Sequence, residues 1–161
     1  GVYLRHVWGD ICYGLVPNAS ENSTVYATAW VHSDAATTAG LIFETQNYSR
    51  SEADVAPQQG TWDYKGSRLW VNGEAIAPPR WQNAVGQRNI DLPLANENAA
   101  SRPPLQIQLQ KGWNQILIKL PIGCFTLPEI RLNKWMFAAA ITTPDGSKAL
   151  PNLQYAKPSL K

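Results

Sequence analysis

Two segments of the chain concentrate side chains that could do chemistry. Residues 47–67 read NYSRSEADVAPQQGTWDYKGS, and residues 77–104 contain PPRW and RPP; neither segment has strand or helix periodicity. Long aperiodic connections in a compact domain are usually functional or disordered, and the aromatic and arginine content of these two argues against disorder. These two loops are therefore where a site is expected.

Carboxylates are the main catalytic candidates in these loops. Asp54 and Asp63 lie near Trp62, and glycoside hydrolysis needs only two well-placed carboxyl groups. Sequence spacing identifies no acid and base pair, and isolated loop carboxylates are most often solvated surface charges. We predict no catalytic residue in this segment. The alternative is a hydrolase on a jelly-roll scaffold that uses Asp63.

Motifs for other reaction classes are missing from the sequence. It has no G-x-S-x-G elbow, phosphate-cradling glycine loop or dinucleotide fingerprint, so acyl, phosphoryl and hydride transfer lose support. His6 and His32 lie in strand patterns, and no Cys or His cluster has metal-ligand spacing. Glu52, Asp54 and Asp63 supply oxygen ligands without the D-x-D-x-D loop of a calcium site. We predict no metal and no cofactor.

Composition restricts the partners. Charged residues make up 16% of the chain, and the formal net charge of +2 comes without any run of Lys or Arg. Such a surface offers no electrostatic footprint for nucleic acid or anionic lipid. No apolar run approaches the length of a membrane span. We predict no nucleic-acid partner and no membrane insertion.

Length and terminal residues suggest one domain taken from a longer protein. A chain of 161 residues suits a single domain spanning 1–161. It begins with Gly1, and its one methionine is Met136, which favours a segment cut from a parent chain. Cys12 and Cys124 could pair in an oxidising compartment, but two cysteines define no framework, so their pairing stays open.

The strand patterns must position the loops. LQIQLQ, residues 105–110, alternates Leu and Ile with three glutamines, which predicts a half-buried strand. After KGWN the chain continues as QILIKL, so residues 105–120 are predicted to form a hairpin. In residues 24–33, TVYATAWVHS, small and aliphatic side chains alternate with Tyr26, Trp30 and His32.

Further segments complete an all-β pattern. RLWV and EAI flank Asn72-Gly73, a pair that suits the positive φ angles of a type I′ hairpin turn. KWMFAAAITT, residues 134–143, is apolar on both faces and predicts a central strand before the turn PDGS. Helical spacing is almost absent. The predicted fold is all-β: an antiparallel two-sheet β-sandwich with jelly-roll or Greek-key connections.

The tryptophans divide by position. Those in strands or at a hairpin turn are Trp30, Trp70, Trp113 and Trp135. Large rings at such positions usually fill the core, so we predict that these four belong to the scaffold. Trp62 and Trp81 lie in loops beside Gly or Pro, where binding groups are common. The alternative for these two is a plug that fixes the loop onto the sandwich.

Several motifs, taken in order, resemble a known family. GTWDYKGSRLWVNGEAIAPPRW, PLANENAASRPPLQIQLQKGWNQILIKLP and KWMF together resemble the noncatalytic, galactose-binding-like β-sandwich domains of bacterial glycoside hydrolases. Chitobiases and related β-N-acetylhexosaminidases of Bacteroides-type bacteria carry such domains. The similarity covers about residues 24–143. WVNG and GWN-QILIKL are generic, whereas RS at 50–51, WD at 62–63, PPRW and RPP make the resemblance more specific.

The resemblance implies an accessory domain of a secreted, periplasmic or cell-surface enzyme. The catalytic domain would then lie elsewhere in the same parent chain and would be a partner of this segment. Hexosaminidases of that kind use an adjacent Asp-Glu pair on a (β/α)-barrel. This sequence has no Asp-Glu dipeptide and no βα alternation, so that catalytic site is not carried over.

The resemblance also implies a glycan ligand, with N-acetylglucosamine-containing glycans as first candidates. Sugars present C–H groups on a ring face and hydroxyls at the edge, so flat aromatics flanked by amides, carboxylates or arginine recognise them. The predicted carbohydrate-binding residues are Asn47, Tyr48, Arg50, Trp62, Asp63, Tyr64, Arg80 and Trp81. The alternative function is a structural spacer that packs on the catalytic domain without binding sugar.

Overall fold

The chain folds as two stacked antiparallel β-sheets. The computed structural model describes residues 1–5, 14–45, 57–80, 104–125 and 135–156. Its strands are β1 (Val2–Arg5), β2 (Ser23–Ser33), β3 (Thr37–Glu44), β4 (Arg68–Val71), β5 (Glu74–Ala75), β6 (Leu105–Leu109), β7 (Gly112–Ile122), β8 (Trp135–Thr142) and β9 (Leu153–Ala156). Within these ranges no helix is long and apolar enough to cross a membrane.

The strand order confirms the predicted sandwich. One sheet has the order β1-β8-β3-β6, and the other has the order β5-β4-β7-β2-β9. All pairings are antiparallel. Apart from the β4–β5 hairpin, successive described strands alternate between the two sheets. Such crossings agree with the predicted jelly-roll or Greek-key connections.

Side chains that alternate along the strands meet between the sheets and form the core. β7 buries its even-numbered residues from Asn114 to Ile122, and β6 buries Ile107 and Leu109 while its glutamines face solvent. Leu41 and Phe43 of β3, which lies beside β6 in the four-stranded sheet, belong to the same core cluster. Burial of these aliphatic and aromatic groups is the main stabilising contribution, because it removes apolar surface from water.

The predicted hairpin at residues 105–120 is wrong in its pairing, although both strands exist. β6 pairs with β3, whereas β7 pairs with β2 and β4 in the other sheet. The connection therefore carries the chain across the sandwich. Gly112, with φ of 96°, allows the sharp turn at this crossing.

The side chain of the buried Asn114 forms hydrogen bonds with the backbone of this crossing. Its Oδ1 accepts from the backbone N–H of Gln110 at 2.9 Å, and its Nδ2 donates to the carbonyl oxygens of Gln110 at 2.9 Å and Gly112 at 3.1 Å. The side chain is 0% exposed. Buried polar groups must find partners, and here one amide bonds three backbone groups of the turn.

A second asparagine connects this crossing to the β4–β5 hairpin. Asn72 Nδ2 donates to Asn114 Oδ1 at 2.8 Å, and Asn72 Oδ1 accepts from the backbone N–H of Gln115 at 2.9 Å. Asn72 and Gly73 have φ of 53° and 83°, which confirms the predicted turn with two positive φ angles. The V-N-G and G-W-N motifs therefore form one hydrogen-bonded unit.

The predicted central strand and its following turn are confirmed. β8 lies between β1 and β3, and the turn after it is closed by Thr143 N–H donating to the Lys148 carbonyl oxygen at 2.9 Å. The exposed Asp145 organises this turn. Its Oδ1 accepts from Thr143 Oγ1 at 2.5 Å, from Ser147 Oγ at 2.9 Å and from Ser147 N–H at 3.1 Å.

These hydrogen bonds predict how the turn responds to acid. The hydroxyl of Thr143, followed by the backbone N–H and hydroxyl of Ser147, lowers the pKa of Asp145 from 3.8 to about 2. Because the folded pKa is depressed, the ordering of the turn is complete above pH 3.8 and is lost as pH falls through about 2. We expect an NMR titration of the Asp145 carboxyl carbon to have its midpoint near that lower value.

The Ser147 amide provides the control for this titration. Its chemical shift should follow the same midpoint in the native chain and become independent of acid pH in Asp145→Asn. A midpoint at the ordinary value of 3.8 would contradict the hydrogen-bonding arrangement.

Candidate functional site

The predicted binding residues are divided between described and undescribed parts of the chain. Those outside the described residues are Asn47, Tyr48, Arg50 and Trp81. The remaining four lie within the described segment 57–80: Trp62, Asp63 and Tyr64 are consecutive, and Arg80 is its last residue. Their role as sugar contacts stays a prediction, and the structure gives the surroundings of these four.

Trp62 is buried and fixes its loop to the core. Its side chain is 5% exposed, and its ring meets Phe43 edge to face, with centroids 4.9 Å apart and an interplanar angle of 74°. Edge-to-face contacts of this kind stabilise aromatic pairs beyond the area they bury. The geometry is that of the plug named as the alternative for Trp62. A direct contact between this ring and a ligand would require the loop to open.

Asp63 organises the same loop with its carboxylate. Oδ1 accepts from the backbone N–H groups of Lys65 at 2.8 Å and Ser67 at 3.1 Å, and Oδ2 accepts from Ser67 Oγ at 2.6 Å. The residue is 6% exposed, and Gly66, with φ of 84°, allows the chain to wrap around it. These bonds hold the carboxylate within its own loop, which gives Asp63 a structural role there.

Among the described members of the predicted set, Tyr64 and Arg80 are accessible. Tyr64 is 60% exposed, and Arg80 is also exposed at the end of a described range. Glu44, which the sequence did not single out, is 5% exposed at the end of β3. It lines a narrow crevice together with Trp62 and Pro79. A strand-terminal glutamate is usually solvated, so no local pattern marks Glu44 as buried.

The exposed aromatic surface lies on a different part of the sandwich. In the five-stranded sheet, the odd-numbered residues of β7 from Trp113 to Pro121 point away from the core. Their cross-strand partners on β2 and β4, and the partners of those β2 residues on β9, lie on the same side. We call this surface the outer aromatic face. Its residues are Thr24, Tyr26, Thr28, Trp30 and His32 of β2, Arg68 and Trp70 of β4, Trp113, Gln115, Leu117, Lys119 and Pro121 of β7, and Gln154 and Ala156 of β9.

This face corrects the prediction that the strand tryptophans fill the core. Trp113 is 44% exposed, and Trp30 and Trp70 are half-buried on the outer side of the sheet. Only Trp135 among the four is buried, with its Nε1 donating to the Leu120 carbonyl oxygen at 3.3 Å. The physical reason is the period of two: Trp113 directly precedes the inward Asn114, so it must face outward.

One corner of this face combines an indole and an imidazole. Trp113 and His32 are direct cross-strand partners, and their rings meet edge to face with centroids 5.2 Å apart. His32 Nδ1 lies 3.4 Å from Asp34 Oδ1 without the angles of a hydrogen bond. The alternation of residues 24–33 already separated Tyr26, Trp30 and His32 from the inward side chains, which is the signal that could have identified this face.

Cysteine and metal predictions concern residues that are only partly described. Cys124 is exposed just after β7, and Cys12 lies outside the described residues, so their pairing stays open. In the described ranges, no three His, Cys, Asp or Glu side chains are grouped closely enough to hold a metal ion.

Comparison with known proteins gives a partial similarity. No protein-family model matches the chain, and no solved structure matches it. The glycogen debranching enzyme of Dickeya chrysanthemi is 29% identical over 125 residues, which covers 74% of this chain and 16% of that enzyme. The chain is therefore similar to one region of a much larger enzyme.

Proposed function

We propose that the chain is a noncatalytic accessory domain that binds glycan within a larger glycoside hydrolase. The similarity to a glycogen debranching enzyme carries the proposal, because it links this β-sandwich to an enzyme whose name states a polysaccharide substrate. The match covers 16% of that enzyme, which leaves room for a separate catalytic domain. Assignment to a chitobiase or hexosaminidase, and a secreted, periplasmic or surface location, belong to the same proposal.

The function of such a domain is to hold a polysaccharide near its parent's active site. Binding of one part of a long chain raises the effective concentration of the rest, so even weak affinity increases turnover. Affinity in the millimolar range corresponds to about 4 kcal/mol, which a few aromatic and hydrogen-bond contacts can supply. The ligand is an oligosaccharide of glucose or of N-acetylglucosamine units.

A structural spacer is the second candidate function. The burial of Trp62 and the internal bonding of Asp63 favour it, because these two predicted binding residues are occupied in fixing their own loop. A spacer would pack on the catalytic domain and would contact no sugar.

Titration of the chain with two oligosaccharides distinguishes these functions. We expect maltoheptaose or chitotetraose to cause saturable changes in tryptophan fluorescence and amide chemical shifts at millimolar concentration, because aromatic side chains would contact the sugar. Sorbitol at equal concentration is the control for nonspecific polyol effects. No response to either oligosaccharide at about 10 mM would contradict glycan binding and favour the spacer. Turnover of an aryl glycoside that is lost in Asp63→Asn would contradict the noncatalytic assignment.

A further inference from the structure

We propose that the outer aromatic face, rather than the loop of Trp62, Asp63 and Tyr64, is the glycan-binding surface, and that it takes an extended uncharged oligosaccharide. This inference rests on the proposed function and names the site that performs it. Its starting point is accessibility. The two most exposed aromatic side chains on the face are Tyr26, 60% exposed, and Trp113, 44% exposed, whereas Trp62 is 5% exposed.

The aromatic side chains lie along a single direction of the sheet. Tyr26 and Trp30 are four residues apart on β2, which places them about 13 Å apart along the strand. Trp113 pairs with His32, two residues further on, and is therefore the diagonal neighbour of Trp30. The track from Tyr26 to His32 is about 20 Å long, which suits an oligosaccharide rather than a single sugar.

Polar side chains lie beside the rings along this track. Gln115 is the direct partner of Trp30, Lys119 is the partner of Tyr26, and Gln154 is the partner of His32. Amide, ammonium and imidazole groups can donate or accept hydrogen bonds with sugar hydroxyls, while the rings cover the C–H faces. Each exposed ring therefore has a hydrogen-bonding group beside it.

This pattern favours a sugar over other partners. The centre of a protein interface is depleted of charged residues, whereas here Lys119 stands beside Tyr26, the most exposed aromatic side chain of the face. Nucleic acid would need many phosphate contacts, and the outward strand positions described here carry only Lys119 and Arg68 as cations besides His32. An uncharged ligand with alternating apolar and hydroxyl surfaces matches the face best.

Single substitutions on the full chain test this assignment. We expect Trp113→Ala and Tyr26→Ala each to weaken binding of maltoheptaose or chitotetraose, whichever binds the native chain, by about threefold to tenfold. Tyr64→Ala is the matched variant of the competing loop site, because Tyr64 and Tyr26 are the same residue type and are both 60% exposed. Tyr64 lies off the face, so its substitution should change affinity less than about twofold.

Thermal unfolding separates an effect on folding from an effect on binding. Thermal unfolding of the three variants should remain close to that of the native chain, because all three side chains are exposed. Native affinity in both Trp113→Ala and Tyr26→Ala, with loss of binding in Tyr64→Ala, would overturn this site and leave the proposed function standing. Absence of binding by the native chain would overturn both.

Discussion

Replacement of Asn114 by alanine is expected to lower the free energy of unfolding by about 3 to 5 kcal/mol, as measured by urea denaturation followed through tryptophan fluorescence. The substitution leaves the N–H and carbonyl of Gln110, the carbonyl of Gly112 and the amide of Asn72 without their partner. Each polar group left buried and unsatisfied costs about 1 to 3 kcal/mol. The loss is a large share of the stability of a domain.

Two further variants test the reason for this loss. Gln115→Ala changes the neighbouring side chain, which faces outward, and should cost less than about 1 kcal/mol. Asn72→Gly keeps a residue suited to the positive φ and removes only the side-chain bonds to Asn114 and to the Gln115 N–H. We expect an intermediate loss of about 1 to 2 kcal/mol. Equal effects of Asn114→Ala and Gln115→Ala would contradict the role of the buried amide.

Asn114 also shows what the alternation in the sequence could and could not predict. The period of two correctly placed strands at β6 and β7 and correctly divided their faces. It could not predict whether KGWN joins neighbouring strands or crosses between sheets, because both connections keep the same alternation. At the crossing, the Asn114 side chain bonds the backbone of the turn, and strand propensity does not describe such a contact.

The tryptophans show the complementary limit. Alternation in residues 24–33 separated Trp30 from the aliphatic side chains, but the general rule that large rings fill cores favoured a core position for Trp30 and Trp113. Trp62 lies in a loop without periodicity, and its burial depends on contact with Phe43, which is distant in the sequence. Local pattern therefore identified which side of a strand a ring occupies, whereas the position of a loop ring required the tertiary structure.

A direct comparison of Trp62→Ala with Trp113→Ala tests whether the loop ring is buried and the strand ring exposed. We expect Trp62→Ala to lower the free energy of unfolding by about 3 to 5 kcal/mol, since it removes a buried ring and that ring's edge-to-face contact with Phe43. Trp113→Ala removes a ring that is 44% exposed and should cost less than about 1 kcal/mol. Urea unfolding followed by circular dichroism is the suitable measurement, because both variants lose a fluorophore.

A conservative variant separates packing from ligand contact at Trp62. Trp62→Phe retains an aromatic ring against Phe43 and should recover more than half of the stability lost in Trp62→Ala. Trp62→Ala could lose oligosaccharide affinity while Trp62→Phe regains both affinity and stability. In that case the loss of affinity is an indirect effect of loop anchoring. If affinity stayed low in a stable Trp62→Phe variant, the indole would be a direct contact in an opened loop. Comparable destabilisation by Trp62→Ala and Trp113→Ala would contradict the assignment of Trp62 to the core and of Trp113 to the surface.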